Sequence, residues 1–248
     1  MKVLHPELHP LSDTWVYLAA TPLLWLALTL VAYLFAFALY RKSGFNPVVN
    51  PVAIAICVLL VVLLSTHTSY STYFDGAQFV HFLLGPATVA LAVPLYEQWD
   101  KLKTHGVALF AALIVGVLTA SGSAVLIAHA LGASPLTLAS LVSKSVTTPV
   151  AMGISEKLGG LPSLTAVAVV LTGIVGAALA RFVLNAMRIP DHAVRGFALG
   201  LSAHGQGVAR GFLVSEEMGA FAGLAMGLTA LTSALLLPFA GRWLLALL

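Results

Sequence analysis

Long apolar stretches alternate with short polar junctions along almost the whole chain. Eight apolar segments are legible, at approximately 14–40, 49–66, 77–97, 105–131, 136–156, 163–187, 193–213 and 217–247. Each is long enough to be a helix at membrane depth, and the first and last have room for tilt or a bend. The junctions are brief: Arg41-Lys42-Ser43-Gly44, Thr66-His67-Thr68-Ser69, Asp100-Lys101-Leu102-Lys103 and Arg188-Ile189-Pro190-Asp191. Connections this short predict an all-α integral membrane protein, a polytopic helix bundle forming a single membrane domain over residues 1–248. The polar, proline-containing start and the absence of a small-residue cleavage pattern predict a retained first span rather than a removed signal.

Composition agrees with the pattern. Of 248 residues, 60% are hydrophobic and 8% are charged, against about 25% charged in a soluble domain. A net charge of +3, dispersed along the chain, gives no footprint for nucleic acid. The one cysteine, Cys57, excludes an internal disulfide and is expected to be a core residue.

The basic residues place a constraint on topology. Arg41/Lys42 and Lys101/Lys103 follow the first and third segments and share a side, which the positive-inside rule makes the cytoplasm. Arg188 and Arg195 follow the sixth. Eight full crossings would put them outside. If the fifth segment is a re-entrant hairpin, they return to the basic side. The sixth to eighth segments then run opposite to the second to fourth, as an inverted repeat.

Three segments carry interruptions in apolar surroundings. The third has Gly85-Pro86-Ala87-Thr88 and then Pro94. The fifth has Lys144-Ser145-Val146-Thr147-Thr148-Pro149. The seventh has Gly200-Leu201-Ser202-Ala203-His204-Gly205-Gln206-Gly207. Proline removes a backbone donor and clashes with the preceding turn. A lysine at mid-bilayer costs about 2.5 kcal/mol or more. Irregular backbone at that depth is tolerated only inside protein or facing a wet cavity. Lys144, Ser145, Thr147, Thr148, Ser202, His204 and Arg210 are therefore the candidate binding residues. Gly85, Pro86, Thr88, Pro149, Gly205 and Gly207 are the candidate helix breaks. A cation, several hydroxyls and half-helix N-termini suit a small anion.

Glu97, Asp100, Glu156, Glu216 and Glu217 lie at segment ends. Without a mid-membrane carboxylate pair, uniport, exchange or proton coupling is favoured over sodium coupling, and His204 is the natural proton carrier. Asn46-Pro47-Val48-Val49-Asn50-Pro51 reads as a capped helix start. His67 and Tyr70 read as exposed loop residues. No nucleophilic triad, phosphate-binding glycine loop or metal-ligand spacing is present, so neither an enzyme, a cofactor nor a metal is expected.

A longer pattern emerges from these residues. Asn50-Pro51, Thr66-His67-Thr68, the run from Gly85 to Tyr96, the run from Lys144 to Met152, Gly159-Gly160-Leu161-Pro162, the run from Leu184 to Ile189 and Gly219-Ala220-Phe221 together resemble the LrgB/CidB family. That family takes in YohK-type bacterial inner-membrane proteins and the membrane domain of the plastid glycolate/glycerate translocator. The resemblance covers about residues 45–240. The seventh segment departs from the family pattern: Val208 replaces the usual threonine, Ala203 precedes His204 where serine is common, and Ser143 precedes Lys144 where proline is common. The resemblance implies a multi-pass protein of the bacterial inner membrane, surrounded by membrane lipid and able to form a homo-oligomer. It implies carriage of a small carboxylate such as pyruvate, glycolate or glycerate, with an LrgA/CidA-type small membrane partner. It also implies an alternative, a holin/antiholin-like role modulating murein hydrolase activity and autolysis.

Overall fold

The computed structural model describes residues 21–46, 48–83, 86, 89–90 and 92–248, and every described element is a helix. Two compact units divide the chain, at Val89/Ala90.

The first unit holds α1 (Pro22–Lys42), α2 (Pro51–Ser65) and α3 (Tyr70–Phe82). Its starts are chemically marked. The Asn50 side chain accepts from the backbone N–H groups of Val52 (2.9 Å) and Ala53 (3.2 Å), with Pro51 opening the helix. Ser69 caps α3 in the same way through Thr72 N–H. Small residues let the helices approach: Ala32, Ala36 and Ala55 form the core together with Leu59. Trp25 is fully buried and meets the edge of Tyr73. Helix α1 is long enough to span a membrane. Helix α2, at 15 residues, reaches only about 22 Å. Cys57 lies on its exposed side and is not a core residue. His67 is an exposed turn residue, as expected; Tyr70 is exposed too, but it opens helix α3 rather than lying in a loop. The third apolar segment falls partly in α3 and partly beyond the unit boundary. Gly85 and Thr88 lie outside the described residues; Pro86 is helical and exposed.

The second unit holds α4 (Ala92–Glu97), α5 (Trp99–Ala130), α6 (Pro135–Leu141), α7 (Thr148–Lys157), α8 (Pro162–Ala186), α9 (His192–Phe212) and α10 (Glu216–Ala246). Helices α5, α8 and α10 each contain a stretch long and apolar enough to cross a bilayer. The elements between them do not cross. Helices α6 and α7 enter and leave at the same end: Ala133, Pro135, Leu158 and Gly159 line one cavity with His129 at the end of α5 and Leu245 at the end of α10. The expected re-entrant fifth segment is thus present, hereafter hairpin 1.

Hairpin 1 closes through buried hydroxyls. Thr165 Oγ1 donates toward the Ser140 carbonyl (2.9 Å) and lies 2.7 Å from Ser155 Oγ, while Ser140 Oγ accepts from Leu161 N–H at 2.8 Å. One side chain from α8 therefore ties both arms together. Thr165→Val keeps the shape and removes the donor. It should destabilise the protein by about 1–3 kcal/mol, measured as a lowered thermal midpoint in detergent; an unchanged midpoint would show that the hydroxyl cluster is dispensable.

The seventh segment departs from the expectation. It was expected to cross with a local break, but it folds back on itself as a second hairpin, hereafter hairpin 2. A continuous 21-residue helix would hold its ends about 30 Å apart. Instead His192 Nδ1 and Ser215 Oγ lie 2.9 Å apart, and Gly196 and Gly211 both rest against Met218. The reversal is at His204, with φ 42° and ψ −130°, a conformation strained for any residue with a side chain. Leu199 and Gly207, on either side of the turn, touch.

The hairpins enter from opposite ends. Hairpin 1 enters where α5 ends. Hairpin 2 enters where α8 ends and where Lys101 of α5 bonds Glu217 of α10. The inverted relation inside this unit is therefore α5 plus hairpin 1 against α8 plus hairpin 2, a different pairing from the second-to-fourth against sixth-to-eighth relation expected. Lys101, Lys103, Arg188 and Arg195 belong to the end from which hairpin 2 enters, removing the conflict that eight full crossings create.

Candidate functional site

The two hairpin tips meet the middle of α8. Lys144 and Ser145 from hairpin 1 and Ser202 from hairpin 2 line one open cleft of about 440 Å³, with Ala120 of α5 and Leu171, Thr172, Val175 and Gly176 of α8. Lys144 is half-buried, and its Nζ donates toward Ser145 Oγ at 3.4 Å. His204 adjoins this cleft: its neighbour Ala203 packs on Gly176, which lines the cleft, and its own ring packs on Gly173 one turn earlier.

The break that carries Lys144 is built locally. Ser143, fully buried, donates its hydroxyl to the Ala151 carbonyl at 2.9 Å and so holds the turn against the returning arm. Pro149 sits in the first turn of α7, where its missing N–H is no loss. Thr147 is the N-cap but makes no side-chain cap bond. The first N–H groups of α7 and the positive end of its dipole therefore open onto the break. Thr147 and Thr148 are half-buried beside the cleft but are not among the residues that line it.

His204 is buried and positioned by α8. Its Nε2 lies 3.0 Å from the Val169 carbonyl. A carbonyl only accepts, so Nε2 carries a proton, and in the neutral ring Nδ1 is the free acceptor. Gln206 donates to the neighbouring Val170 carbonyl at 3.3 Å. Gly173 makes this possible. A methyl group there would lie 2.6 Å from His204 Cε1 and 3.1 Å from Gln206. Ser202 donates back to Ala198 within its own arm at 2.7 Å, leaving the oxygen lone pairs as its offer to the cleft. Gly207 is buried in the close approach of the two arms, and Gly205 is exposed at the turn.

The structure thus brings Lys144, Ser145 and Ser202 together, with His204 adjoining. It does not bring Arg210 there. Arg210 lines a separate cavity at the basic end, because it lies on the outgoing arm of hairpin 2 and that arm runs away from the tip. Sequence reasoning missed Thr172, Gly173 and Gly176. Their one visible signal was a cluster of small residues in the middle of an otherwise bulky apolar span. Among the described residues, no group of His, Cys, Asp or Glu could hold a metal ion.

Spanning helices separated by opposed, broken hairpins, with a cation and hydroxyls at their tips, define an all-α polytopic membrane protein with an open cleft at the hairpin tips. The chain belongs to the LrgB-like family, which it matches over residues 29–243. It is 37% identical to uncharacterized protein YwbG of Bacillus subtilis (strain 168), over 86% of this chain and 95% of that protein. It is 30% identical to the antiholin-like protein LrgB of Bacillus mycoides (strain KBAB4), over 88% of this chain and 95% of that protein. No solved structure matches it.

Proposed function

We propose that this protein fills the antiholin-like role for which its LrgB relatives are named, and that its molecular activity is carriage of a small monocarboxylate by alternating access. The relatives' names support the first part. The second rests on one observation: two hairpins entering from opposite ends deliver Lys144, Ser145 and Ser202 to one cleft halfway along a spanning helix. A lipid-facing pore needs no such convergence. Discontinuous helices meeting at the midplane are the architecture of secondary carriers.

In this reading the Lys144 ammonium and the open N-terminus of α7 neutralise the carboxylate. Ser145, Ser202 and the adjoining Thr147 and Thr148 hydrogen-bond a substrate hydroxyl or keto oxygen, as in glycolate, glycerate or pyruvate. His204 holds or passes a proton at Nδ1 while Nε2 stays on Val169. The cleft reaches one side or the other as the hairpins shift. The positive-inside rule puts the end with Lys101, Lys103, Arg188 and Arg195 in the cytoplasm of a bacterial inner membrane. An LrgA/CidA-type partner and a homo-oligomer belong to the same reading, and no chemical step is assigned to the protein.

Counterflow of labelled pyruvate, glycolate and glycerate into proteoliposomes tests this. Saturable uptake, competed by one of the three acids, is the expected result. Unsaturable leakage that depends on solute size would instead make the protein a pore. Autolysis assays with Lys144→Met separate the two parts: a normal lysis phenotype in a transport-dead variant would cut the antiholin-like role free of transport.

A further inference from the structure

The cavity that holds Arg210 carries chemistry that the carboxylate cleft does not use. It measures about 380 Å³. Three arginines line it from three stretches of chain: Arg181 on α8, Arg195 on the incoming arm of hairpin 2 and Arg210 on the outgoing arm. Arg195 Nη2 donates to Asn185 Oδ1, which ties it to the end of α8. The inner wall is apolar, with Leu199 and Met218 buried behind the arginines.

We propose that this cavity binds a phosphate group at the basic end of the protein. A monocarboxylate has two oxygens, and one guanidinium fork satisfies both. Three arginines presented to one cavity by separate elements, each with several N–H donors, suit a tetrahedral anion with three or more oxygens. The cavity lies at the end of a spanning helix, the depth at which lipid phosphates sit, and basic pockets between spanning helices on the cytoplasmic side take anionic headgroups. The same chemistry would accept inorganic phosphate or a phosphorylated solute. In either case the phosphate bridges α8 and both arms of hairpin 2, so its occupancy holds the hairpin against the helix.

Thermal unfolding of the purified full chain distinguishes the sources. The additions are phosphatidylglycerol, phosphatidylcholine and inorganic phosphate, each made separately in detergent. A rise of about 5 °C or more with phosphatidylglycerol alone assigns a lipid phosphate. A rise of that size with inorganic phosphate assigns a soluble one. Either rise should be lost in the double variant Arg181→Gln/Arg210→Gln. No rise with any addition, an equal rise with phosphatidylcholine, or a rise that survives in the double variant overturns the proposal. Should that variant not fold, the wild-type protein decides the matter. Phenylglyoxal labelling read by mass spectrometry should slow several-fold at Arg181, Arg195 and Arg210 when the effective ligand is present, with Arg242 as the reference. Equal protection of Arg242, or none at the three, rejects the site. None of these readouts depends on carboxylate transport.

Discussion

Lys144→Met is expected to lower carboxylate uptake roughly 10- to 100-fold while leaving the protein at least as stable as the wild type. The two halves of this result come from the same physics. A charge-assisted hydrogen bond contributes about 1.5–3 kcal/mol, and losing it from the substrate complex lowers uptake by that range. The same ammonium is half-buried in the apolar middle of the unit, with Ser145 Oγ as a partner at 3.4 Å. An ionised lysine at mid-bilayer is itself unfavourable, by about 2.5 kcal/mol or more. Methionine keeps the unbranched shape and most of the length of the side chain and removes the charge. Measuring counterflow and thermal midpoint on the same preparation separates a binding role from a structural one. Full uptake in Lys144→Met removes the ammonium from the mechanism. A large fall in the midpoint would make Lys144 a structural residue. The companion variant at the other tip is His204→Gly. It removes the imidazole and relieves the strained backbone at φ 42°, whereas alanine would keep the strain and confuse the readout.

Gly200→Ala is expected to be among the most disruptive single methyl groups that can be added to this protein. The new carbon would lie 2.0 Å from the Ala222 carbonyl oxygen and 2.7 Å from the Ala222 Cα. Both are backbone atoms of α10, so no side-chain rotation relieves the contact. The incoming arm of hairpin 2 must move away from the helix it packs on most closely. Overpacking of this kind costs about 3 kcal/mol. Gly205→Ala, five positions on, is the control, since its methyl group meets nothing within 4 Å. A thermal midpoint well below wild type for Gly200→Ala and close to wild type for Gly205→Ala is the expected pair. Equal midpoints would mean that the arm and α10 are not in contact as described. The position also bears on function, because moving this arm moves Ser202 and His204 at its tip.

Hydrophobic patterning alone located the spanning helices α5, α8 and α10 closely, and α1 at its C-terminal end. Burial in lipid demands long apolar runs with few charges, and the chain shows them plainly. The break at Lys144–Pro149 was equally visible, since a cation, adjacent hydroxyls and a proline cannot continue an apolar helix at low cost. The basic residues also implied one non-crossing segment. Hairpin 2 was harder to see. Residues 193–213 have the length and character of a crossing, and the reversal at His204 is a single backbone conformation with no obligatory residue type to announce it. Arg210 lines a different cavity from Lys144 for that reason. On a crossing segment it lies beyond the tip; on a returning arm it goes back to the end from which the chain entered.

What the sequence determined by itself was the solvent: an all-helical chain made for a bilayer, interrupted where polar groups sit too deep to be filler. That is a local property, set by transfer energies residue by residue. What the tertiary structure alone decided was which interruptions meet. Gly173 and Gly176 on α8 matter only because the tip of hairpin 2 packs there, and Lys144, Ser145 and Ser202 share a cleft only because the two hairpins enter from opposite ends. Contacts between residues about 60 positions apart depend on how helices stack, and helix stacking in lipid is governed by shape and close approach rather than by hydropathy.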